Sequence, residues 1–238
     1  MRRNRRRILM LGGGLFILAA AWQRFGVVGP RLDFEPIRGA PGWQSAVAGG
    51  FSGSASDAVF MGLDQAAGLE TTPPLPARRL DDVLFGPVLD GHAPVAVFSD
   101  FFCPFCRGLT VRMAARDQTR MHLRWHELPL LGPSSVIAAK AGVAADLQGK
   151  YAPFQRALVQ ASFRPTARHM GSVAASAGLD GARLMADMGG AAVAERLMES
   201  EAAAKRLGIF ATPGLVIGRK VVLGELDEDA IDRLIASA

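Results

Sequence analysis

The stretch Ser99-Asp100-Phe101-Phe102-Cys103-Pro104-Phe105-Cys106-Arg107 constrains this chain more than any other, and it holds both of the chain's 2 cysteines. Before it runs Val95-Ala96-Val97-Phe98, whose β-branched and aromatic content predicts a buried strand. After it, Pro104 opens a helix-compatible stretch that continues through Leu109 and Val111 to Gln118. A strand thus hands two thiols to the first turn of a helix. With Cys103 at the N-cap and Pro104 in the first helical position, the amides of Phe105 and Cys106 point back at the Cys103 sulfur. The helix dipole favours negative charge there. Thiol pKa values in that setting fall from about 8.5 to between roughly 3.5 and 7.5. A value of about 5 would raise the reduction potential of the pair by on the order of 100 mV, which makes a disulfide that is given up readily. Cys106, one turn along, is expected to be buried and to act as the resolving thiol.

The N-terminus places this chemistry. Arg2, Arg3, Arg5, Arg6 and Arg7 precede an uncharged, mostly apolar run from Ile8 to Trp22 that ends near Ala19-Ala20-Ala21. A spanning helix needs roughly 20 apolar residues, so residues 1–22 read as a signal peptide or, if retained, a signal anchor. That predicts a periplasmic or otherwise extracytoplasmic protein. The formal charge of +5 belongs to this leader. Setting its five arginines aside leaves 22 basic residues against 22 acidic ones, a balance that gives no reason to expect nucleic-acid binding. Exported domains use cysteines mainly as structural disulfides, yet a C-x-x-C ring constrains the unfolded chain very little. Redox chemistry explains the pair better than stability does.

Residues 23–77 are rich in Gly, Pro and Ser and read as a loop-rich arm with one or two short strands on the domain edge, closed by the linker Thr72-Pro73-Pro74-Leu75-Pro76. The folded domain is expected over residues 78–238. Leu80, Val83 and Leu84 suit a short helix, and Met121 to Leu128 alternates like a half-exposed strand. Gly132-Pro133-Ser134-Ser135 offers an N-cap, and about 133–207 is Ala-rich and helical, broken at Gly149, Pro165, Gly178 and Gly189-Gly190. Leu215-Val216-Ile217 and Val221-Val222-Leu223 form a hairpin around Gly218-Arg219, and a last helix runs from Asp227 to Ile235.

Phe101-Phe102-Cys103-Pro104-Phe105-Cys106 resembles the active site of the DsbA-like thioredoxin-fold oxidoreductases, and Ala211-Thr212-Pro213-Gly214 resembles the cis-proline loop that faces the cysteines in that superfamily. The helical block corresponds to that family's insertion. The resemblance implies an α/β thioredoxin fold with an inserted helical domain and a thiol–disulfide oxidoreductase whose redox group is the Cys103–Cys106 disulfide, with no other cofactor and no metal. It makes Cys103 the attacking cysteine and Cys106 the resolving one. Thr212 and Pro213 would hold a substrate strand, beside Pro104 and an exposed, apolar Phe105. The partners implied are unfolded or cysteine-containing exported proteins and a membrane or thioredoxin-like redox partner, met by a monomer. The central Pro-Phe pair departs from the Pro-His of strong oxidants, and Thr before the proline also suits isomerase-like branches. No stretch resembles an isomerase's dimerisation domain, so the reading is an oxidase, with an isomerase or reductase as the alternative.

Two other readings explain less of the sequence. Cys103-x2-Cys106-x15-His122-x3-His126 is close to a Cys2His2 zinc spacing, but the cysteines open a helix and the histidines lie on a strand, the reverse of a zinc finger. A holdase would need only an apolar surface such as Phe105. Asp100 reads as a solvated loop aspartate rather than a proton carrier, Phe101, Trp125 and Tyr151 as core, and Phe102 as rim.

Overall fold

Val95, Ala96, Val97 and Phe98 are all almost inaccessible, because the strand that carries them is covered on both faces. A computed structural model describes residues 32–52, 74–161 and 166–238. The leader over 1–22, Thr72, Pro73 and Pro165 lie outside the described residues.

Strands β1 (Glu35–Pro36), β2 (Gln44–Val47), β3 (Ala93–Ser99), β4 (Met121–Glu127), β5 (Gly214–Ile217) and β6 (Lys220–Leu223) form one sheet in the order β1-β2-β6-β5-β3-β4. Among the described residues the α-helices are α1 (Leu80–Phe85), α2 (Pro104–Ala115), α3 (Pro133–Asp146), α4 (Tyr151–Gln160), α5 (Ala167–Ser176), α6 (Gly181–Asp187), α7 (Ala191–Leu207) and α8 (Glu228–Ala236). Strand β3 runs parallel to β4 and antiparallel to β5, and β5 pairs antiparallel with β6 across the positive-φ Gly218. The β3-α2-β4 and β5-β6-α8 units, joined by the five helices α3 to α7, make the expected α/β thioredoxin fold with a helical insertion at 133–207.

Alternation along β3 sorts its side chains into two layers. Val95 and Val97 join a cluster with Leu109, Met113, Phe154, Met170, Leu184 and Ile231, whereas Ala96 and Phe98 face Leu80, Leu84, Ala203, Leu207 and Trp43. The strand's end, where the two layers part, is where Cys103 emerges.

Three local expectations change. Strand β4 is not half-exposed: Trp125, His126 and Glu127 are all buried, since α3 packs on one face and α1 and α7 on the other. Helix α3 is capped by the Gly132 backbone with Pro133 behind it and no side-chain cap, because the Ser135 hydroxyl is committed to Asp100. Helix α2 stops at Ala115, ahead of an Asx turn in which Asp117 accepts from the Thr119 amide. The arm goes beyond edge packing, as β2 extends the sheet in parallel register with β6 from Gln44↔Lys220 to Val47↔Leu223.

Candidate active site

The helix-opening geometry is as expected. Cys103 is the N-cap of α2 with extended φ/ψ of −71° and 119°, Pro104 follows in the first turn, and the Cys106 amide donates to the Cys103 sulfur at 3.3 Å. Cys106 is buried, its carbonyl held by the Thr110 hydroxyl at 2.9 Å. Both cysteines are thiols in this structure. Opposite them lies Thr212-Pro213, joined by a cis peptide bond. The Cys103 thiol donates to the Thr212 carbonyl oxygen at 3.3 Å. Cys103, Pro104, Cys106, Thr212 and Pro213 therefore converge as the sequence predicts.

The surroundings treat the two sulfurs in opposite ways. The Cys103 thiol is brought down to about 5, chiefly by the neighbouring Cys106 thiol; burial opposes this, and the nearby Ser52 and Thr212 side chains and the Cys106 amide add to it. Burial pushes Cys106 far up, and the neighbouring Cys103 pushes it further. Cys106 keeps its proton and uses it to hold the Cys103 thiolate.

Behind the cysteines the polar groups are buried and paired. Asp100, 1% exposed, is buried rather than solvated. Its Oδ1 accepts from the Phe102 amide at 2.8 Å and the Ser135 hydroxyl at 2.9 Å, and its Oδ2 accepts from the amides of Leu130 at 2.8 Å and Leu131 at 3.1 Å. That carboxylate ties the cysteine loop to the segment after β4. The Tyr151 hydroxyl donates to Glu127 Oε1, and burial holds both groups well above their usual ranges. His126 stacks on Phe98 with centroids 4.7 Å apart. Its Nε2–H donates to the Leu84 carbonyl at 3.0 Å and its Nδ1 takes the Ser200 hydroxyl at 2.9 Å. His122 sits half-buried on β4. Phe101 is core, edge-on to Phe154, and Phe102 is rim, as expected.

Phe105 departs from expectation. It is half-buried rather than exposed, and its ring lies so close over Gly50 that any side chain there would collide with it. Sequence reasoning missed what lies beside it. Ser52 forms an antiparallel bridge with Thr212, with Ser52 N–H donating to Thr212 O at 2.7 Å and Thr212 N–H to Ser52 O at 3.0 Å. No motif marks Ser52, which stands in a Gly- and Ser-rich stretch like many others. Among the described residues, no helix is long and apolar enough to cross a membrane.

The DSBA-like thioredoxin domain family matches residues 94–236. A thioredoxin-like oxidoreductase from Silicibacter pomeroyi DSS-3 is 32% identical, with a TM-score of 0.56 over 66% of this chain and 95% of that one. The thiol-disulfide exchange protein alpha-DsbA2 from Wolbachia pipientis shares the fold at 18% identity, with a TM-score of 0.59 over 67% of this chain and 92% of that one. A Na(+)/H(+) antiporter NhaA from Herminiimonas arsenicoxydans is 29% identical over 155 residues, which span 63% of this chain but only 24% of that protein.

Proposed function

Because this chain belongs to the DSBA-like thioredoxin domain family, a family of thiol–disulfide oxidoreductases, we propose that it is an exported oxidase that passes the Cys103–Cys106 disulfide to folding proteins. The observation that carries this reading is the unequal pair of sulfurs, with Cys103 held as a thiolate near neutral pH and Cys106 kept protonated beneath it. A Cys103 thiolate held at about 5 stabilises the reduced form and departs readily from the mixed disulfide, so the Cys103–Cys106 disulfide is a strong acceptor of electrons.

A substrate thiolate attacks the Cys103 sulfur, the Cys103–Cys106 bond breaks, and Cys106 leaves with the electron pair and takes up a proton. A second substrate thiolate then attacks the substrate sulfur of the mixed disulfide. The substrate disulfide forms and Cys103 departs as a thiolate. Two electrons have moved from substrate to enzyme, and a membrane-bound or thioredoxin-like partner removes them. Thr212 and Pro213 carry the substrate strand, with Pro104 and Phe105 at its side. The Arg-rich start and the apolar run after it support export to the periplasm. The chain acts as a monomer.

The reduction potential against glutathione tests the direction. A value near −120 mV supports an oxidase, whereas one near −270 mV overturns it in favour of a reductase or isomerase, in which Cys103 thiolate would attack a substrate disulfide first.

A further inference from the structure

Cys103 is 0% exposed although it is the sulfur a substrate must reach. The chain's own arm passes beside it. Beyond β2, residues 48–52 run on along the rim of the site, with a bend at Gly49. Ala48 N–H donates to Leu223 O at 2.8 Å, Gly49 N–H to Glu225 O at 3.0 Å, and Glu225 N–H to Gly50 O at 3.0 Å. Ser52 then closes both backbone bonds to Thr212, the residue through which the proposed function has a substrate strand pair. The side chains follow the same logic. The Ser52 side chain helps lower the Cys103 thiol, Phe51 sets its ring edge-on to Phe210 with centroids 6.4 Å apart, and Gly50 leaves room for the Phe105 ring. Phe210 is itself 41% exposed, an apolar wall at the edge of the site.

We propose that residues 49–52 occupy the substrate-strand position of this site as a built-in stand-in, so that a substrate enters by displacing them and takes their register. The incoming cysteine then lies where Ser52 lies, an apolar, preferably aromatic residue precedes it against Phe210, and a small residue comes before that, beneath Phe105. Serine at the cysteine position cannot form a disulfide, so the arm shields Cys103 without reacting with it. Residues 49–52 are held by two backbone hydrogen bonds to Glu225 and two to Thr212, and a substrate strand replaces those to Thr212 one for one. The choice of substrate rests on the oxidoreductase reading above, but the occupation of the site does not.

Two measurements on the full-length chain test this. The first is the rate of Cys103 alkylation by iodoacetamide in the reduced protein at pH 7. Ser52→Pro removes the amide that bonds to Thr212 O, and Phe51→Ala removes the contact with Phe210. Each is expected to speed alkylation about fivefold to tenfold, the ratio that about 1 kcal/mol or slightly more allows. Rates equal to the parent's would overturn the proposal. The second uses Ser52→Cys, prepared with the Cys103–Cys106 disulfide formed. The new thiolate attacks the Cys103 sulfur and Cys106 leaves as a free thiol, so peptide mass mapping is expected to show residues 52 and 103 linked and Cys106 alkylated. A retained Cys103–Cys106 bond with position 52 alkylated would overturn the register. Alkylation needs no disulfide exchange. A protein inert towards glutathione would therefore sink the oxidase reading and leave the arm tested on its own.

Discussion

Two neighbouring strand ends, that of β3 leading to Cys103 and that of β4 carrying His126 and Glu127, are both closed to solvent and opposite in electrostatic character. Both lie at the same level of the sheet, since Phe98 pairs with His126 and Ser99 with Glu127. At the β3 end, Cys106 and the side chains around the Cys103 sulfur outweigh its burial, so the charged form wins and the thiol falls to about 5. At the β4 end burial wins. His126 is lowered to about 3 mainly by desolvation, and Glu127 is raised for the same reason despite the Tyr151 hydroxyl. Burial alone therefore does not decide the charge of a group in this protein; the groups aimed at it count as well.

The largest expected effect comes from removing the sulfur on which the donors converge. Cys103→Ser should reduce disulfide exchange with reduced glutathione to the buffer rate while leaving the fold intact by circular dichroism; retained exchange would mean the chemistry lies elsewhere. The link between the two strand ends is next. Asp100→Ala would strand the amides of Phe102, Leu130 and Leu131 and the Ser135 hydroxyl, at a cost of about 4 kcal/mol. Urea unfolding would measure it, and a loss below about 1 kcal/mol would show that the loop and β4 are held together by packing instead.

The third effect separates donors from burial. Alkylation of Cys103 followed against pH should have its midpoint at about 5. Because this pKa lies below the ordinary thiol value, the extra stability of the dithiol form over the disulfide form is fully present above that ordinary value and is lost as pH falls through about 5. Cys106→Ala should raise the midpoint and Cys106→Ser should hold it low, since a hydroxyl still donates; equal midpoints would assign the effect to the helix end alone. The smallest effect belongs to His126. Its value of about 3 lies below the ordinary 6.5, so its contribution is complete above pH 6.5 and is lost as pH falls from 6.5 towards 3. In His126→Leu the slope of stability against pH over that window should flatten, whatever the absolute stability; an unchanged slope would place the acid sensitivity in other groups.

Much of the architecture was legible in the sequence because it depends on periodicity and on a few residues with special backbone demands. The buried run before Cys103, Pro104 at the helix start, the hairpin around Gly218-Arg219 and the acidic start of α8, with Asp227 Oδ1 accepting from the Ala230 amide at 2.6 Å, are local facts, and each stands where its residues predict. The two cysteines and Thr212-Pro213 were legible as a pair of motifs in order. Exposure along β4 was not. Its alternation of apolar and polar residues matches a half-exposed strand, and only the helices packed on both faces bury His126 and Glu127.

The sequence alone determined which atoms can react here, since two thiols at a helix start bring their own dipole and their own spacing. The tertiary structure decided which groups surround them. Asp100 proved to be a four-bond anchor because Leu130, Leu131 and Ser135 come to it from beyond β4. Phe105 proved to be a cover over Gly50, and Ser52 proved to lie on Cys103, because pairing of β2 with β6 carries the arm to Thr212. The pairing that carries the arm there is made of backbone hydrogen bonds between segments about 160 residues apart or more, and backbone groups are the same at every position of a chain.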